Sequence, residues 1–167
     1  MRSRSSDVRM LDPDALADHV GRLYRAAYGL CGSREAAEDL VQDTFERVLR
    51  KPRFVRRDQD LGYLLKVLRN TWVSSARSAR AVTVPLDNEG ADSLGGDDAV
   101  VARVVEAGVV FEALQQLSAP LREAVVAVDI VGLSYREAAR ALGTKEGTIM
   151  SRLNRGRGQI AAQVGEQ

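Results

Sequence analysis

The stretch from Leu133 to Leu153, LSYREAARALGTKEGTIMSRL, admits few folds. Ser134 followed three residues later by Glu137 is a capping box, so a helix is expected to start just after Ser134. Ala138, Ala139 and Leu142 then line one face, and Gly143 can take the left-handed conformation that ends the helix. Thr144, with Glu146 and Gly147 behind it, can cap a second helix in which Ile149 and Leu153 point inward. Thr148, Ser151, Arg152 and Arg155 are left to face outward, where Ser, Thr and Arg meet base edges and phosphates. Lys145 sits at a helix start, where the dipole does not favour it, which points to a phosphate contact. Helix, short turn and basic helix form a probe for the major groove of DNA, and the bland alternative is a helical hairpin with a solvated basic face.

The charge of the whole chain argues weakly against nucleic acid, because 24 Lys and Arg nearly balance 23 Asp and Glu over 167 residues. The distribution reverses that argument. Residues 1–85 carry a net +5, residues 86–110 a net −5 and residues 111–167 a net +1, so two basic modules flank an acidic connector. Between Pro85 and Asp98 the segment PLDNEGADSLGGDD combines turn-formers with acids and cannot build a core. It is either a solvated spacer or an imitation of nucleic-acid charge for a partner's basic channel. From Ala99 onward Val101, Val104, Val105, Val109, Phe111 and Leu114 restore a helical pattern, weakened at Gly108.

The amino-terminal module reads as entirely helical. Asp12 caps, Pro13 fills the first position and Leu11 staples onto Leu16, after which Val20, Leu23, Ala27 and Leu30 continue the stripe to Gly32. A second helix from Ser33 to Pro52 turns Leu40, Val41, Phe45, Val48 and Leu49 inward. Its outer side carries Glu38, Asp39, Gln42, Asp43 and Glu46, an acidic ridge that is either solvated surface or a dock for a basic protein. A third helix, from Asp58–Asp60 to about Ala79, has Leu61, Leu64, Leu65, Leu68 and Trp72 inward. Arg53, Arg56, Arg57, Lys66, Arg69, Arg77 and Arg80 surround it with basic charge. Phe54, Tyr63 and Trp72 can stack on unpaired bases, or they can belong to the core and its edge, Phe54 standing evenly between the two and Tyr63 and Trp72 leaning to the core.

Catalytic equipment is almost missing. One cysteine and one histidine are too few for the usual zinc sites, Cys31 reads as packing, His19 as exposed, and no phosphate-binding glycine loop occurs. The expectation is a protein with no catalytic residues, cofactor or metal. No signal peptide is evident and no apolar run approaches about 18 residues, so the chain is expected in the cytoplasm without membrane insertion, acting by binding.

Taken in order, AAEDLVQDTFERVLR (Ala36 to Arg50), GYLLKVLRNTW, and LREAVVAVDIVGLSYREAARALGTKEGTIMSRLNRGR (Leu121 to Arg157) resemble regions 2 and 4 of a bacterial RNA polymerase sigma factor of the extracytoplasmic-function group. The resemblance covers about Leu16 to Gln159. It implies an all-α chain of two small helical domains: a region 2 bundle over 11–82, an acidic linker over 83–98 and a region 4 helix-turn-helix domain over 99–164. Asp39, Gln42, Asp43 and Glu46 would lie on the clamp helices of the largest subunit of core RNA polymerase. Phe54, Arg56, Arg57, Asn70, Trp72 and Arg77 would hold the melted nontemplate strand of the −10 promoter element. The second domain would sit on the flap of the second-largest subunit, placing Lys145, Thr148, Ser151, Arg152 and Arg155 at the −35 element. The linker would thread toward the polymerase active-site cleft.

Family members are commonly held inactive by an anti-sigma protein, and with no long extension beyond Val164, control is expected from outside the chain. The chain departs from the family pattern at Ser74, where an acid is common, at Met150, where a Lys is frequent, and at Gly156 and Gly158. Two glycines cost about 1 kcal/mol each in a helix interior, so the last helix is expected to fray or end near Arg155. Two rivals are a helix-turn-helix repressor, which leaves the acidic ridge unexplained, and a protein-interaction adaptor, which has little need for Arg152, Arg155 and Arg157.

Overall fold

The computed structural model describes residues 8–81 and 108–165, with the side chains of 79–81 excepted. The acidic linker over 83–98 and the valines at 101, 104 and 105 lie outside the described residues. The architecture is all-α, in two groups of helices.

The first group comprises α1 (Pro13–Ala17), α2 (Val20–Cys31), α3 (Arg34–Arg50) and α4 (Asp60–Ala81). Local chemistry sets its boundaries. The Ala15 amide donates to Asp12 Oδ1 at 2.8 Å and the Ala36 amide to Ser33 Oγ at 3.2 Å, so both helices start at a side-chain cap. Gly32 closes α2 in the left-handed region at φ 77°. The single helix expected from Pro13 to Gly32 is broken at Asp18–His19, which leaves Val20 exposed. Leu49 is likewise exposed at the end of α3, outside the stripe of Leu40, Val41 and Val48 that is buried.

Two short strands, β1 (Val8–Met10) and β2 (Phe54–Arg56), add an element the sequence did not suggest. They pair antiparallel, with Val8 opposite Arg56, Arg9 opposite Val55 and Met10 opposite Phe54. A 3-10 turn at Arg57–Gln59 then leads into α4. Three-residue strands carry too little periodicity to be read from a sequence, and their pairing spans more than forty residues of chain.

The second group contains a helix over 108–116 (α5), α6 (Ala119–Val125) widening into a π-turn at Val126–Ile130, α7 (Tyr135–Leu142) and α8 (Glu146–Gly165). Both halves of the Ser134–Glu137 capping box are formed, and Gly143 ends α7 at φ 64°. The first bonds of α8 run from Thr148 and Ile149 amides to the Lys145 carbonyl, which puts Lys145 rather than Thr144 at the cap position. Nor does α8 end near Arg155. Gly156 is buried where α8 crosses α6, and the close approach of Leu117, Leu121 and Val125 offsets the cost of glycine.

The two groups also share one continuous apolar core. Tyr28 of α2 meets Phe111 of α5 edge to face at 4.9 Å, and Gln115 Nε2 donates to the Gly29 carbonyl at 2.8 Å. At Gly29 an added Cβ would lie 3.0 Å from Val126 Cγ2, so glycine is what lets α2 approach the π-turn.

Candidate functional site

Three surfaces carry the residues singled out from the sequence. On α3, Leu40, Val41, Thr44 and Val48 are buried, and Thr44 Oγ1 donates to the Leu40 carbonyl at 2.7 Å. The opposite side presents Asp39, Gln42, Asp43 and Glu46, all exposed and at three- and four-residue spacing. Gln42 Nε2 donates to Glu46 Oε1 at 3.3 Å, and Arg34 pairs with Glu38 at 3.0 Å. These are exposed contacts that leave the ridge acidic and open to a partner.

The second surface follows the chain from β2 into α4. Phe54 is 77% exposed, and Arg56 pairs with Asp58 at 3.2 Å. Arg57, Asn70 and Arg77 are exposed. At 3.6 residues per turn Asn70 and Arg77 fall on one side of α4 together with Lys66 and Ser74. Trp72 does not join them. It lies roughly 200° around the helix from Asn70, half-buried against the leucine stripe. Arg69 is also withdrawn from the basic surface, because its Nε lies 3.3 Å from Glu123 Oε2, and Glu123 is buried in the second group of helices. Tyr63 and Lys66, with Val55, Gln59 and Gly62, form one wall of a groove of about 240 Å³ whose other wall is Glu137, Arg140 and Ala141 of α7.

The third surface is the helix corner. Ile149 and Leu153 are fully buried, anchoring α8, and Ser151 and Arg155 are exposed. Arg155 Nη2 donates to Ser151 Oγ at 3.3 Å, so the two form one polar unit one turn apart. Thr148 and Arg152 are half-buried rather than fully outward, and Lys145 and Met150 are exposed. Arg136, Arg140 and Lys145 rim an open dish of about 480 Å³ at the corner, with Arg136 paired to Glu146 at 3.3 Å. The sequence reading missed Arg136 and Arg140, although the first helix of such a corner crosses the DNA backbone and outward arginines on it suit phosphates. Arg157 donates through Nε and Nη2 to Asp129 at 2.9 and 2.6 Å, which holds its pKa above the ordinary value and fixes α8 to the π-turn.

Two further findings concern titratable groups. His19 is not exposed: its Nε2 is 3.6 Å from Oδ2 of Asp60, a buried carboxylate that also accepts from Arg9 Nη2 at 2.7 Å. Burial pushes the Cys31 thiol up from the ordinary 9.0 to about 11, against the opposing charge of Arg122. Among the described residues no group of three or more His, Cys, Asp or Glu side chains is placed to hold a metal ion, and no helix is long and apolar enough to cross a membrane.

An acidic helix ridge, a basic helix beside an exposed aromatic and a basic helix corner thus stand together in one small all-α chain. Comparison with known proteins gives the class. Residues 16–82 match the Sigma-70 region 2 family model and residues 108–160 match Sigma-70, region 4. The chain is 33% identical to the ECF RNA polymerase sigma factor SigE of Mycolicibacterium smegmatis over 88% of its length and 59% of that protein's. It is 33% identical to the ECF RNA polymerase sigma factor EcfG of Rhodopseudomonas palustris over 89% of this chain and 82% of that one. Among solved structures, the sigma factor RpoE from Bartonella quintana, crystallised with the anti-sigma factor NepR, superposes with a TM-score of 0.68 at 26% identity, covering 92% of this chain and 98% of that one. The chain belongs to the ECF group of sigma-70 family RNA polymerase sigma factors, non-catalytic proteins that direct promoter-specific transcription initiation.

Proposed function

We propose that this chain binds core RNA polymerase through the α3 ridge and reads a two-part promoter with α4 and α8. Asp39, Gln42, Asp43 and Glu46 meet the clamp helices of the largest subunit. Phe54, Arg56, Arg57, Asn70 and Arg77 hold the separated −10 strand, and Trp72 contributes only from its exposed edge. Lys145, Ser151 and Arg155, with Thr148 and Arg152 behind them, enter the major groove of the −35 element, while the second group of helices rests on the flap of the second-largest subunit. The linker over 83–98 threads toward the active-site cleft. The polymerase supplies the chemistry, and this chain supplies binding energy that selects the site and keeps the strands apart. Since its Bartonella relative was solved with NepR, an anti-sigma protein that wraps or wedges between the two helical groups is the proposed regulator.

The observation that carries the reading is the coexistence of the free acidic ridge with the basic corner, since a repressor has no use for the first and an adaptor none for the second. The test is transcription by core polymerase on genomic fragments with and without the chain, followed by mapping of new start sites. Discrete starts sharing two upstream elements are expected. Charge reversal by D39K and D43K is expected to abolish polymerase binding, while R152A with R155A leaves polymerase binding intact and erases selection of the −35 element, each base contact contributing about 1–3 kcal/mol. Polymerase-independent binding to duplex operator would instead favour a repressor.

A further inference from the structure

The ribbon of β1 and β2 turns most of its apolar side chains to solvent. In antiparallel pairs, directly opposed residues and those two apart share a face, so the register puts Val8, Met10, Phe54 and Arg56 on one face and Arg9 and Val55 on the other. The usual arrangement turns apolar residues to the core and charge to water. Here Val8, Met10 and Phe54 are 46%, 48% and 77% exposed, and Arg9 points inward beside the half-buried Val55. Arg9 Nη2 donates at 2.7 Å to Oδ2 of Asp60, the buried first residue of α4, whose other oxygen has no hydrogen-bond partner. One ion pair thus ties β1 to the start of α4, and β1 in turn holds β2. Arg56 stands on the same face as Phe54, beside the exposed Asp58 it pairs with. A small apolar platform with an exposed arginine on its face has the chemistry of a site for an unpaired base and its phosphate.

We propose that β1, which precedes the residues matched by the region 2 model, is part of the strand-holding site: Met10 forms with Phe54 a continuous wall against one unpaired base of single-stranded DNA, and Arg9 is a positioning residue that sets this wall through Asp60. A polarizable thioether directly opposite Phe54 suits an aromatic ring and the π-face of a base alike. This inference rests on the assignment of Phe54 to the melted strand, and the experiment separates the two.

Holoenzyme assembled from core polymerase and the full chain is used to select from fork-junction DNA randomised in both its duplex arm and its single-stranded arm. M10A is expected to weaken retention about fivefold, the low end of one stacked base, and to flatten preference at one single-stranded position while duplex-arm preference stays as in the parent. R9A is expected to flatten the same position, R9K to restore part of it, and R9A to add nothing in an F54A background, a pattern that general loss of folding does not produce. The proposal is overturned if F54A loses the single-stranded preference and M10A and R9A keep it. If F54A also keeps it, the assignment of Phe54 and the proposal fall together.

Discussion

Gly156 and Gly158 stand two positions apart on α8 and face opposite environments, so the same substitution has opposite signs. A Cβ at Gly158 meets nothing within 4 Å, and G158A is expected to stabilise the chain by about 0.5–1 kcal/mol through helix propensity. At Gly156 the added carbon would lie 2.8 Å from Val125 Cγ2, a stiff, buried side chain, and overpacking of about 1–3 kcal/mol outweighs the same gain. Urea denaturation of the two variants is expected to move the midpoint up for G158A and down for G156A, and a rise for both would mean that α8 does not pack on α6. Cys31 gives a second test at this scale. A thiol raised to about 11 is almost wholly protonated at pH 8, so alkylation by iodoacetamide is expected to run about two orders of magnitude slower than for a free thiol, and to recover in urea. Since the fold disfavours the thiolate, this group contributes stability below the ordinary 9.0 that is lost as pH rises through 11. The sequence marked Cys31 as packing from its apolar neighbours alone. It could not show what Gly156 touches, because the partner atoms lie more than thirty residues away.

Elements were legible where their signals are local. The capping box at Ser134 and Glu137, the cap Asp12, the helix start at Ser33 and the glycine stops at Gly32 and Gly143 each act within four residues, and each is formed as read. What failed needed a distant partner. The β1–β2 ribbon pairs residues 44 to 48 positions apart, Arg9 meets Asp60 across 51, and His19 seemed exposed because nothing near it in the chain reveals Asp60. Arg69 read as basic surface for the same reason, its partner Glu123 lying in the other helical group. Trp72 was placed correctly on the leucine stripe, and the geometry of one helix keeps it off the side of Asn70 and Arg77, which leaves only its exposed edge for the proposed strand contact. At the helix corner stability and recognition separate. S134A removes one cap acceptor and is expected to destabilise by about 1 kcal/mol in denaturant. K145A removes an exposed ammonium and is expected to leave the midpoint unchanged, while lowering the slope of log affinity for duplex DNA against log salt by about 0.9. An unchanged slope would remove Lys145 from the phosphate contacts.

At the scale of the molecule the two helical groups are latched, and the latch conflicts with the task. Elements centred near −10 and −35 are separated by about 25 base pairs, or roughly 85 Å of duplex at about 3.4 Å per pair. A compact body of this length has a radius of gyration of about 15 Å, so on the proposed two-element reading packed groups cannot reach both elements and would have to part to act. The groove between α4 and α7 sets Tyr63 and Lys66, which adjoin the proposed −10 surface, opposite Glu137 and Arg140. Arg122 is the centre of the latch. Its guanidinium donates to the carbonyls of Leu114, Gln115 and Leu117 at 2.9, 2.8 and 3.0 Å and to that of Leu30 at 3.0 Å, gathering the carboxyl ends of α5 and α2 around one cation. Burial lowers its pKa, but the group remains a cation at any working pH. R122M keeps the stem and removes every donor, including the one that crosses between the groups to the Leu30 carbonyl, which water satisfies if the groups separate. Small-angle scattering of the free chain is expected to give a compact particle for the parent and a radius of gyration several ångströms larger for R122M, and the released chain is expected to bind core polymerase more tightly because it no longer spends free energy on opening. Equal radii with tighter binding would place the restraint elsewhere than Arg122, and an expanded parent would show that the groups are already apart before polymerase arrives.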